Sequence, residues 1–129
     1  MDRTISYLKK LFHILTLLLI ILSLYPGNIL GFLLYGDFRL QPKFIKDFLY
    51  ISSQHLYVFL LVSAFGFFSY LEDEKFNLVV IYLFFLSIIL EVAHLVIPER
   101  SFQIKDLTGN ILGVLIAYII VLIYKFWRR

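Results

Sequence analysis

Residues 76–98 read FNLVVIYLFFLSIILEVAHLVIP, twenty-three positions with one formal charge, Glu91. A helix rises about 1.5 Å per residue, so this stretch covers the roughly 30 Å hydrocarbon core of a bilayer. Working outward, the charged residues mark off three further apolar stretches: 11–36 between Lys10 and Asp37, 48–71 between Asp47 and Glu72, and 107–124 between Asp106 and Lys125. Pro26-Gly27-Asn28 interrupts the first, because proline and the residue before it resist helical geometry. These limits predict helices over about 8–25, 49–70, 76–97 and 107–126. The expected fold is all-α, an integral membrane four-helix transmembrane bundle occupying residues 1–129 as one domain. Ile29 to Tyr35 is too short to span and is expected in the interface or in a re-entrant turn. No small-x-small cleavage site follows Leu24-Tyr25, so the first helix reads as retained and not as a signal peptide.

Composition agrees. Hydrophobic residues make up 61% of the 129 residues and charged residues 16%, against about 45–50% and 25% in soluble domains. A small soluble domain has too much surface to bury that apolar excess; the mean hydropathy is +0.89. A soluble enzyme, a disordered tail and a nucleic-acid module are excluded. The net charge of +3 comes from cations at chain ends and in short connections, as topology signals do. Arg3, Lys9, Lys10, Lys75, Lys125, Arg128 and Arg129 fall on one side. Arg39, Lys43, Lys46, Arg100 and Lys105 fall on the other, which predicts cytoplasmic termini. There is no cysteine, so disulfides and thiolate sites are excluded.

Function must come from polar residues that the apolar runs do not explain. Ser87, Glu91 and His94, with Pro98 beyond, follow at spacings of four, three and four and are expected on one helical face. An ionisable residue inside a membrane helix costs several kcal/mol and faces protein or a water-filled cavity. The fourth stretch opens with Asp106, Gly109 and Asn110. Asp106 has a competing reading as a helix N-cap, whereas Asn110 lies one turn into the apolar run. Gly109-x-x-x-Gly113 lets another backbone come close, so both glycines are structural candidates. His55 lies near the start of the second helix. The topology therefore brings His55, Glu91, His94, Arg100, Asp106 and Asn110 to one outer-leaflet cluster, while His13 sits at the opposite end.

Familiar catalytic patterns are missing. Glu91-x-x-His94 occurs once, without the partner carboxylates of a di-iron bundle; with His55 and Asp106 it would make at most a mononuclear centre, so neither metal nor cofactor is expected. Gly27-Asn28-Ile29-Leu30-Gly31 recurs as Gly109-Asn110-Ile111-Leu112-Gly113, an echo attributed to similar local packing and not to duplication.

The run from Glu91 through His94, Pro98 and Arg100 to Asp106, Asn110 and Gly113 resembles the VanZ-like family of small bacterial membrane proteins. That family's pattern is Glu, Gln three residues later, Pro, Arg and a closing Asp-x-x-x-Asn-x-x-Gly, and every spacing agrees. His55 followed by Phe59 is similar to the family's His-Phe-rich start of the second helix. Two positions depart: His94 stands where the family usually has Gln, and the Asp-Lys expected ahead of the histidine reads Ile51-Ser52. The resemblance implies a multi-pass protein of the bacterial plasma membrane with an envelope role linked to teicoplanin resistance. On this reading the cluster binds, and in one version modifies, a lipid-linked or cell-wall headgroup. Arg100 would hold the anion, with His55, His94 and Asn110 as further ligand-binding candidates and Glu91 and Asp106 as catalytic candidates. Asp106 and Asn110 would orient Arg100 and His55. Expected partners are membrane lipids, a lipid-linked envelope precursor or another membrane protein, and not nucleic acid; homo-oligomers are compatible. The alternative is a non-catalytic scaffold or accessory subunit whose polar cluster only locks the helices together.

Overall fold

The computed structural model describes Asp2–Arg129 and is all-helical apart from one isolated bridge pairing Phe48 with Ile51. Helix α1 (Arg3–Leu24) starts on Asp2, whose side chain accepts from the Thr4 amide at 3.1 Å. It stops where Tyr25 turns extended ahead of Pro26. The short helix α2 (Ile29–Tyr35) is capped by Asn28, whose Oδ1 accepts from the Gly31 amide at 2.8 Å, and closes on Gly36 at φ +70°. Helices α3 (Ser53–Ser69), α4 (Phe76–Val92) and α5 (Ile104–Arg128) follow, with a 3₁₀ turn, Ala93–Leu95, extending α4.

Three helical segments are long and apolar enough to cross a membrane: α1, α4 with its 3₁₀ turn, and α5. Helix α3 is apolar but has 17 residues, about 26 Å and the lower limit for a span. It begins at Ser53 and not at 49, because Phe48–Ile51, although apolar, are consumed by the bridge and by Leu49 at φ +54°. Residues 29–35 form a helix of their own. The helical face expected to run on to Pro98 is cut short: the 3₁₀ turn ends at Leu95, and Pro98 lies exposed beyond it.

Helix α5 packs most extensively on α3 and also touches α4, while α1 lies mainly against α3. The buried core runs through Phe59 and Phe67 of α3, Leu83, Leu86 and Leu90 of α4, and Val114 and Val121 of α5. Ile14, Leu17, Leu18 and Ile21 of α1 point outward, as side chains solvated by lipid do. The α3–α5 crossing depends on Gly109 and Gly113. A Cβ on Gly109 would stand 2.5 Å from the Ser52 carbonyl oxygen, and one on Gly113 2.5 Å from that of Leu56. These are backbone atoms that cannot step aside, so the expected close approach is present and its partner is the first two turns of α3.

One end of the bundle carries both termini: Lys9 pairs with Asp73 at 2.6 Å and Arg128 with Glu72, joining α1 and α5 to the α3–α4 turn. The Lys9 ammonium holds Asp73 below the usual carboxylate range, with the Lys75 amide adding to the effect. His13 is here too, its Nε2 2.8 Å from the Tyr70 hydroxyl. The other end gathers the C-termini of α1 and α4, the N-termini of α3 and α5, and α2. The echoed Gly-Asn-Ile-Leu-Gly segments differ in role: Asn28 caps α2, whereas Asn110 is buried within α5.

Candidate functional site

All six expected residues lie at that second end, divided into two groups bridged by Glu91. In the first, Asn110 is 2% exposed, and its Nδ2 donates to the Ser87 carbonyl at 3.1 Å. That bond turns the amide oxygen toward α3, where His55 Nδ1 donates to it at 2.9 Å. The imidazole tautomer follows: with Nδ1 protonated, the neutral ring presents a bare Nε2. It stands 3.8 Å from Asp106 Oδ2. Asp106 is buried in the first turn of α5, three residues after the N-cap Gln103, so the reading of Asp106 as the cap is corrected. It faces His55 across the α3–α5 crossing.

In the second group, His94 Nε2 donates to the Ser23 carbonyl at 3.0 Å, which leaves Nδ1 toward Glu91 Oε2 at 3.3 Å. Glu91 is 1% exposed; its Oε1 accepts from the Gln103 amide at 3.0 Å, and its Oε2 has no hydrogen-bond partner. The contact with His94 Nδ1 is within ion-pair range but off hydrogen-bond geometry. Arg100 donates through Nη2 to the Leu22 carbonyl at 2.6 Å and through Nε to that of Tyr25 at 3.3 Å. It thereby covers the negative end of the α1 dipole. The expectation that Asp106 and Asn110 orient Arg100 is therefore corrected: backbone carbonyls of Leu22 and Tyr25 hold it, while Asp106 and Asn110 both face His55. Burial pushes the Arg100 guanidinium below its ordinary pKa, and the Glu91 carboxylate pulls it back.

A cavity of about 330 Å³ opens beside these groups. Its lining combines apolar side chains, among them Leu19, Leu22, Ile29, Val58, Phe59 and Leu90, with the polar His55, Glu91, His94, Arg100 and Asn110. Asp106 is not on this cavity. It lines a smaller one of about 120 Å³ with Ser52, Gln54, Gln103 and Lys105.

Several residues at the site carried no signal at the level of sequence. Gln54 lines both cavities and pins the 36–52 loop, accepting from the Phe44 and Ile45 amides and donating to the Pro42 carbonyl at 3.1 Å. Gln103 holds Glu91 through its backbone amide, which no side-chain pattern could reveal. Asp47 meets Lys105 at 3.0 Å and Lys43 at 3.2 Å. An Asp–Lys pair thus stands close to Ser52 although Ile51-Ser52 does not supply it, because the Ser52 amide bonds the Lys105 carbonyl at 3.1 Å. The Lys105 ammonium holds Asp47 below the usual carboxylate range, with Lys43 assisting against desolvation.

His55, Glu91 and Asp106 together offer one imidazole nitrogen and two carboxylate oxygens, all within 4.8 Å of one another. His94 stands on the far side of Glu91, against α1.

Apolar helices long enough to span, closed around buried ionisable groups at one end, define a helical membrane protein with a built polar site. The VanZ/LLP1 family model matches residues 10–126, and the chain belongs to that family. No curated protein and no solved structure matches the chain.

Proposed function

We propose that this protein holds the anionic headgroup of a lipid-linked cell-envelope molecule in the larger cavity, on the outer side of the bacterial plasma membrane. The observation that carries the reading is the cavity's mixed lining, many apolar side chains together with the clustered His55, Glu91, His94, Arg100 and Asn110, which suits an amphiphile whose chain and headgroup need different surroundings. Arg100 uses Nε and Nη2 on α1 carbonyls and keeps guanidinium protons for a phosphate or carboxylate. His94 and Glu91, 3.3 Å apart, stand next to that anion, and His55 and Asn110 also line the cavity. The exposed aromatic and basic surface of residues 38–50 (Phe44, Phe48, Tyr50, Lys43, Lys46) has the make-up of an interfacial belt, at the end where a lipid would enter. The link to teicoplanin resistance belongs to this proposal and rests on family membership alone.

A lock of purely structural role is the second reading, favoured by one observation: Arg100 and His94 both tie the site to carbonyls of α1. Native mass spectrometry of the protein in detergent, with a polyprenyl monophosphate and with phosphatidylcholine, separates the two. A site retains the monophosphate, rejects phosphatidylcholine and loses at least tenfold in retention on Arg100→Gln. Equal retention of both lipids, or retention indifferent to Arg100→Gln, contradicts it.

A further inference from the structure

Three features of the His55 corner go beyond what headgroup binding requires. Asn110, anchored to the Ser87 carbonyl, forces the His55 proton onto Nδ1. His55 Nε2 then faces Asp106 Oδ2 at 3.8 Å, beyond hydrogen-bond reach. Glu91 brings a second carboxylate within 4.8 Å of both; it is 1% exposed, and its Oε2, on the His94 side, has no hydrogen-bond partner. Two buried carboxylates and one imidazole nitrogen thus converge on a single point, a donor set that suits a cation.

We infer that His55 Nε2 and the carboxylates of Glu91 and Asp106 bind one divalent transition-metal cation. One nitrogen and two oxygens form a borderline donor set that suits Zn²⁺ or a neighbouring first-row ion better than the all-oxygen cages of Ca²⁺ and Mg²⁺. Ligands about 2.0–2.2 Å from an ion lie roughly 3–4 Å apart, so the 3.8 Å His55–Asp106 separation already fits, and the widest gap in the set has to close by less than 1 Å. The Asn110–His55 bond is the support that metal-bound histidines receive on their other nitrogen. Asn110 is therefore a positioning residue. Three protein ligands leave a coordination position open. Glu91 and His55 line the larger cavity and Asp106 the smaller one, so the ion sits on the wall between them. The inference does not rest on lipid binding and is tested without lipid.

Purified protein, stripped with a chelator and exchanged into detergent, is titrated with Zn²⁺ alone while bound metal is counted by mass spectrometry. The site predicts one Zn²⁺ per chain. His55→Gln and Asp106→Asn should each weaken binding at least tenfold, and Asn110→Ala by 10- to 100-fold, with helical circular dichroism preserved. His13→Gln, which removes an exposed histidine at the opposite end, should leave the titration unchanged. If Asp106→Asn does not fold, His55→Gln decides. Binding that survives His55→Gln, binding lost in His13→Gln, or no saturable binding in the wild-type protein overturns the inference.

Discussion

At the scale of single residues, the site turns on Glu91. Its Oε1 holds the Gln103 amide and thereby fixes the turn into α5, while its other oxygen faces His94. Glu91→Leu would orphan the Gln103 N–H in a buried place, a loss of about 1–3 kcal/mol, and leave His94 Nδ1 without a partner. Glu91→Gln keeps the acceptor for Gln103. Thermal unfolding in detergent should therefore rank Glu91→Leu well below Glu91→Gln, with Glu91→Gln close to wild type; the reverse order would mean that the Gln103 bond does not matter. Much of this corner was legible in the sequence. Spacings of four and three from Ser87 through Glu91 to His94 put three polar side chains on one face, and all three are buried. The partners were not legible. His94 bonds the Ser23 carbonyl and Arg100 those of Leu22 and Tyr25, and carbonyls are present on every residue alike, so only the folded arrangement of α1 selects these three.

At the scale of elements, the α3–α5 crossing governs whether His55 and Asn110 meet. Gly113→Leu would drive side-chain atoms into the Leu56 carbonyl and the Leu60 amide, and overpacking of this kind costs about 1–3 kcal/mol. The variant should melt lower and, by parting α3 from α5, also lose Zn²⁺. Retained metal affinity in a destabilised Gly113→Leu protein would show that the crossing does not set the site. The 36–52 loop gives a pH prediction. Asp47 titrates below its ordinary value because of Lys105 and Lys43, so its pairing is fully present above the unfolded carboxylate pKa of about 3.9 and is lost as pH falls through the lower folded value. Deuterium exchange, corrected for intrinsic rates, should show the loop loosening only below that point, and at higher pH in Asp47→Asn. Helix α3 starts later than the apolar run does because apolarity and helicity are separate properties. Phe48, Leu49 and Tyr50 are apolar and more than two-thirds exposed, as belongs to a loop in an interface. Pro26 marked the end of α1 correctly because it acts through backbone geometry.

Across the whole molecule, charge is sorted by end. Lys9, Asp73, Glu72 and Arg128 close the end with the termini, and the buried ionisable groups occupy the other. The proposed orientation places the latter outside the cell. Because the chain has no cysteine, Tyr50→Cys and Glu74→Cys each add a single exposed thiol at opposite ends. In intact cells a membrane-impermeant maleimide should label Tyr50→Cys and spare Glu74→Cys; the opposite pattern would place the site on the cytoplasmic side. The apolar excess that marked this chain as a membrane protein also simplified its reading, since few polar residues remained to be assigned. It conveyed nothing about how those residues divide into the His55 and His94 groups, which depends on the rotation of α4 between α1 and α5.

The central claim is that the polar cluster lining the larger cavity receives an anionic ligand and is more than a clasp between helices. A ligand that binds only the folded state raises its stability, by about 2.7 kcal/mol at a concentration one hundred times Kd. The most direct test is thermal unfolding of wild type and Arg100→Gln in detergent, with and without a polyprenyl monophosphate. The account predicts a rise of several degrees in wild type that Arg100→Gln abolishes, while the unliganded variant still unfolds cooperatively. No rise in wild type, together with a large loss of stability in unliganded Arg100→Gln, would contradict it and leave the cluster as a structural lock.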